Sequence, residues 1–138
     1  MKLILPLFVD IPHKKSPDKR FYLGLNPYRN THFQTLNKAK KLYADEVKKI
    51  VLASAGENWE KAKTIVSPFR FVYTIYPATG RKFDLANVLP IIQKFTDDAL
   101  IDLGIISDDS WKVIKAIDYR FGEIDRINPR CELEILSI

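Results

Sequence analysis

Cysteine occurs once in these 138 residues, as Cys131. A lone thiol has no partner for an intrachain disulfide and cannot build a cysteine-based zinc cluster, so Cys131 reads as a small strand residue. Histidine is almost as scarce. His13 and His32 stand apart, and both are read as surface or loop residues without a catalytic role. Long apolar runs are also missing. The longest near the start, Leu3-Ile4-Leu5-Pro6-Leu7-Phe8-Val9, is far too short to span a bilayer and lacks the small-residue cleavage site of a secretory signal. A strand is expected there, with no membrane contact, and cytosolic residence fits. Internal repeats, low-complexity tracts and clear linkers are absent, so the length points to one domain, residues 1–138.

What is present is ordinary for a globular chain: 46% hydrophobic and 28% charged residues, enough for one real core. The net charge of +5 leans only modestly toward an anionic partner, but its distribution says more. Basic residues cluster over 13–20, over 38–49 and at Arg81-Lys82. Acids gather between Asp97 and Asp109 and around Glu123-Ile124-Asp125. Basic surface around a local acidic cluster suits a metal-dependent nuclease, and also many proteins with no nucleic-acid role.

Periodicity supplies the elements. Residues 2–9 read as a strand, and Phe21 to Leu25 as a short second one before a turn over Asn26-Pro27-Tyr28-Arg29-Asn30. From Thr35 to about Ala55, Leu36, Ala39, Leu42, Tyr43, Val47, Ile50 and Val51 recur at helical spacing, with Gly56 as the stop. Asn58 to Lys63 reads as a surface loop or a turn of helix. Phe69, Phe71, Tyr73 and Ile75 alternate as a strand ending at Pro77. Asn87 is expected to cap a second helix running to about Leu103, with Pro90 harmless in its first turn and Gly104 closing it. Lys112 to Phe121 and Cys131 to Ile138 read as further strands joined by a loop. The order β(β)αβαββ predicts an α+β domain, a small mixed sheet with two main helices, rather than a parallel doubly wound one.

The chemistry-bearing block is Arg81-Lys82-Phe83-Asp84-Leu85-Ala86-Asn87, followed by the second helix and Ser107-Asp108-Asp109. Carboxylate oxygens bind Mg²⁺, and neighbouring Arg and Lys meet a nucleic-acid backbone. At about 100° per residue, Asn87, Lys94 and Asp98 fall within a sector of roughly 40°, apart from the stripe Val88, Ile92, Phe95, Ala99 and Leu103. A solvated Lys94–Asp98 pair at i,i+4 also accounts for that face, and Asp108-Asp109 also suit a turn.

These residues resemble a RusA-type Holliday junction resolvase, a family of phage and prophage endonucleases. The likeness rests on Arg81 to Asn87, Lys94, Asp98-Ala99-Leu100, Gly104-Ile105-Ile106 and Asp108-Asp109, and continues through Val113 to Phe121 and the Glu132-Leu133-Glu134-Ile135 strand. It is strong over roughly 70–138 and loose before that. The resemblance implies a small homodimer in the cytoplasm of a bacterial or phage-infected cell. It implies symmetric nicking of four-way DNA junctions with Mg²⁺, or alternatively Mn²⁺. By position, Asp84 would be the first metal carboxylate, Asp109 the later one and Asp108 an accessory. Asn87 would orient the motif, and Lys94 would face the cleaved phosphate. Lys14, Lys15, Lys19, Arg20, Arg81 and Lys82 would contact DNA backbone.

Two departures stand out. The family pattern reads Asp-x-Asp-Asn, whereas Ala86 occupies the second acidic position here, and Lys94 follows Asn87 by more than the usual three residues. Either Asp98 supplies the missing oxygen, which is the expectation, or the site binds metal poorly. The rival readings are a junction-binding protein that has lost hydrolysis and a structural dimeric protein whose acidic turn is only surface.

Overall fold

In a strand, alternate side chains point to opposite faces, and Phe69, Phe71, Tyr73 and Ile75 use that rule to line one buried face. The computed structural model describes residues 1–54 and 68–138. The expected stop at Gly56 and the segment Asn58 to Lys63 lie outside the described residues.

The elements are β1 (Lys2–Leu5), β2 (Phe8–Ile11), β3 (Lys19–Tyr22), α1 (Leu25–Asn30), α2 (Phe33–Ser54), β4 (Phe69–Tyr76), α3 (Leu85–Asp102), β5 (Ile114–Phe121) and β6 (Arg130–Ser137). Four strands form one mixed sheet in the order β1-β6-β4-β5, and β2 and β3 form a separate hairpin. The α+β expectation holds. β1 and β6, and β6 and β4, run antiparallel; β4 and β5 run parallel, with Phe71 opposite Ile117 and Tyr73 opposite Tyr119. Leu133 and Cys131 continue the inner face opposite Tyr73 and Ile75, and Leu3 and Leu5 extend it onto β1. The helices cover that face. Tyr43, Val47 and Val51 of α2 and Leu89, Ile92, Phe95 and Leu100 of α3 are buried in one core with it.

Three expectations need correction. The strand over 2–9 is two strands in two sheets, because Pro6 interrupts the ladder; the buried Tyr43 hydroxyl donates to the Pro6 carbonyl at 3.1 Å. The turn over 26–30 is the short helix α1, whose Pro27 sits in the first turn, where a missing N–H leaves no helical bond unmade. Finally, α3 begins earlier than expected. Asp84, extended at φ −85° and ψ 131°, is its N-cap, and its carbonyl accepts the Asn87 N–H at 2.9 Å. Asn87 therefore lies inside the first turn and Pro90 inside the helix, where it cannot supply the bond that the Ala86 carbonyl would accept. Ala86 is exposed, so water can serve that carbonyl.

The far end of α3 closes as the sequence indicates. Gly104 has φ 73°, its N–H bonds the Ile101 carbonyl at 2.9 Å, and the Ile105 N–H reaches back to Leu100 at 2.9 Å. This is a Schellman closure, which sends the buried Ile105 and Ile106 back onto the core. A side chain at Gly104 would be held in the left-handed region, so Gly104→Ala should lower unfolding free energy by about 1–2 kcal/mol. Urea denaturation measures this, and an unchanged midpoint would contradict it.

One acid lies in the core. Asp97 is 2% exposed. Its Oδ2 accepts Gln93 Nε2 at 3.1 Å, Gln93 in turn accepts the Tyr119 hydroxyl, and Oδ1 has no hydrogen-bond partner. Burial pushes its pKa up to about 7, with the nearby charges of Asp109 and Asp98 adding to the rise. Between about pH 4, where an unfolded Asp titrates, and about pH 7, the folded state holds a proton that the unfolded state has lost. This acid's contribution to stability is therefore full at low pH and falls as pH rises through that window. Asp97→Asn removes the titration. Its melting temperature should gain on that of wild type by several degrees from pH 5 to pH 8; a difference that stays constant across that range would exclude the effect.

Candidate nucleic-acid interface

The chain from β4 to α3 turns through Pro77 to Phe83 and delivers Asp84 to the floor of an open cleft of about 930 Å³. The other walls come from the start of α1 (Gly24 to Pro27) and from Phe121 and Ile124 beyond the sheet. Arg81, Lys82, Asp84 and Asn87 all line it, and all four are exposed. The Asp84 carboxylate makes no capping bond to the helix; its Oδ2 instead receives a long contact of 3.4 Å from Asn87 Nδ2. The spared first-turn N–H groups and the positive end of α3, together with Arg81 and Lys82, favour a phosphate in this cleft. Asp84 adds one acceptor-only group among them. The combination suits an anionic backbone with a water or cation facing it.

The other expected residues lie elsewhere. Lys94 and Asp98 are exposed on α3, as the wheel predicts, but Asp98 is fourteen residues beyond Asp84, about 21 Å along the axis at 1.5 Å per residue. Asp98 borders a different cleft, of about 550 Å³, between α3 and the α2 lysines Lys40 and Lys41. It therefore does not stand in for a carboxylate at Ala86. Ala86 itself is exposed and outside the lining of the Asp84 cleft.

Asp108 and Asp109 follow α3 and precede β5. Since Ile114 pairs beside Phe69, at the start of β4, they lie at the end of the sheet opposite Asp84. Eight residues of β4 put roughly 20 Å between the two ends. Asp108 turns inward on its own loop, its Oδ1 accepting the Ser110 N–H at 2.7 Å, and hydrogen bonding to Ser110 holds its pKa below the usual range. Asp109 is exposed and close enough to Asp97 to raise its pKa.

The basic candidates divide in the same way. Lys14 and Lys15 are exposed in the loop between β2 and β3, and Lys19 is exposed on β3. Arg20 lies on β3, where it grips Asp10 with contacts of 2.9 and 3.3 Å and stacks 3.8 Å above the Phe8 ring. Its fork is used within the hairpin. Among the aromatic residues, Phe21 stacks on Phe95 in the core at 6.1 Å, while Tyr22 is exposed.

Sequence reasoning missed the Tyr119–Gln93–Asp97 chain. Its signal was Gln93 and Asp97 at i,i+4, set beside Leu89, Thr96 and Leu100, which make α3 buried over much more than one stripe. Among the described residues, no three His, Cys, Asp or Glu side chains converge so as to hold a metal ion. The Mg²⁺ implied by the family resemblance thus does not fit the carboxylates of one chain, because Asp84 and Asp109 are too far apart to share an ion. No protein-family model and no curated protein matches the chain.

Proposed function

We propose that this chain is a structure-selective endonuclease of the RusA type that acts on four-way DNA junctions with Mg²⁺ or Mn²⁺. The observation that carries the reading is the exposed Asp84 at the N-terminus of an 18-residue helix, in a cleft with Arg81 and Lys82. Such a cleft holds a backbone phosphate through charge and first-turn N–H groups. Asp84 presents its oxygens to whatever faces that phosphate, and Asn87 steadies it. Lys14, Lys15 and Lys19 extend the basic surface. Contacts to phosphate carry no base readout, so selectivity would rest on junction shape. When bound, a divalent cation would polarise the phosphate and acidify a water.

A second reading is favoured by Ala86 and by the separation of the carboxylates: a protein that binds junctions and does not cut them. A labelled synthetic four-way junction with Mg²⁺, run beside linear duplex, an EDTA control and Asp84→Asn, separates the two. Paired symmetric nicks that vanish with EDTA and with Asp84→Asn support the nuclease. Retardation without nicking supports the binder, and neither nicking nor retardation removes both.

Because Asp98 is remote from Asp84, Asp98→Ala should leave nicking at the wild-type rate, and a loss of tenfold or more would place Asp98 in the site. Arg81→Ala with Lys82→Ala should weaken junction binding across all sequences and reduce the slope of log affinity against log salt by about 2. A salt slope unchanged from wild type would remove these side chains from the DNA contact.

A further inference from the structure

β5 is the outer strand of the four-stranded sheet, and only its β4 side is paired among the described residues. It is eight residues long, contains no proline, and leaves Ile117 40% and Phe121 53% exposed. A long unpaired edge with apolar side chains is a template for another strand. Two-fold symmetry allows a copy of β5 to fill it, pairing antiparallel with itself.

We propose that a second copy of this chain docks along β5 in that way, centred on Tyr119, and that the docking completes the acidic site. The register is chosen by complementarity. With Tyr119 opposite the partner's Tyr119, Ile117 falls opposite the partner's Phe121, and Asp118 opposite the partner's Arg120. The same register puts Lys115 opposite the partner's Glu123. Each of these three pairs occurs twice across the axis, and each matches apolar with apolar or acid with base. The two members of each pair also lie an even number of residues apart, so they share a face, as a two-fold through a sheet requires.

The second argument concerns the ends of the strand. Within one chain, Asp84 lies near the Phe121 end of β5 and Asp109 before the Ile114 end. Antiparallel docking reverses one strand relative to the other. The Asp109 end of each copy therefore meets the Asp84 end of its partner, giving two equivalent acidic sites. This part rests on the endonuclease reading above; the docking surface does not.

Sedimentation velocity tests the surface. The 16.0 kDa chain should sediment as a dimer. Ile117→Glu should give a monomer with an unchanged far-ultraviolet circular dichroism spectrum. Lys115→Glu and Glu123→Lys should each weaken the dimer tenfold or more, and the two together should restore it to within threefold. A monomeric wild type, or a dimer indifferent to all these changes, would overturn the docking.

The shared site is tested by Mn²⁺ electron paramagnetic resonance on Asp84→Asn and Asp109→Asn proteins, alone and mixed. Shared sites predict that neither variant alone binds an ion tightly, while a mixed dimer regains one. If wild type binds Mn²⁺ and the mixture does not, the shared site is overturned. If wild type dimerises through β5 but neither binds Mn²⁺ nor nicks a junction, the endonuclease reading and the shared site fall and the docking surface stands.

Discussion

The parallel pairing of β4 with β5 is the constraint on which the site depends. Two strands running the same way cannot be joined by a tight turn; the chain must travel the length of the sheet and return. Here α3 makes that return. Residues that enter the helix and residues that leave it are thereby fixed at opposite ends of the sheet, however close they look in sequence. Asp84 enters and Asp109 leaves, so packing alone separates the two acids that the motif links.

The return is held by burial on both sides of α3. Leu89, Ile92, Phe95 and Leu100 lie in the core, with Phe95 touching the rings of Phe21, Tyr28 and Tyr43 at 5.9 to 6.3 Å. Such aromatic contacts add roughly 0.5–1.5 kcal/mol each beyond the area they bury. This packing explains how a proline inside the helix and an incompletely bonded acid at Asp97 are tolerated. Both weaken α3 locally, and neither can move without opening the shared core. The Schellman closure at Gly104 then sets where the acidic turn emerges.

Much of this was legible in the residues. The alternation of Phe69 to Ile75 marked a central strand, the spacing of Leu36 to Val51 marked α2, and Gly104 marked the end of α3, because each signal is a local steric or periodic rule. Two boundaries were misread for equally local reasons. Asn87 and Asp84 are both good caps, and only the backbone at Asp84 decides between them. Pro6 splits the opening strand because its two halves serve different sheets. The acidic site was the least legible part. A wheel shows that Lys94 and Asp98 share a face, but it does not show that this face borders the α2 lysines, 21 Å or so from Asp84 at 1.5 Å per residue.

The separation also assigns different work to the two ends of α3. The N-terminal end has a helix dipole, Arg81 and Lys82, all of which attract phosphate, and a single carboxylate. The C-terminal end has Asp97, Asp98, Asp102, Asp108 and Asp109, and the negative end of the same dipole. Acids placed there raise one another's proton affinity, and Asp97 shows the effect. A cation that joined the two kinds of end would relieve that repulsion while standing beside a bound phosphate. One chain cannot bring its own ends together across the length of a helix, whereas an antiparallel neighbour presents the opposite end by symmetry. The free edge of β5 is where such a neighbour fits without disturbing the core.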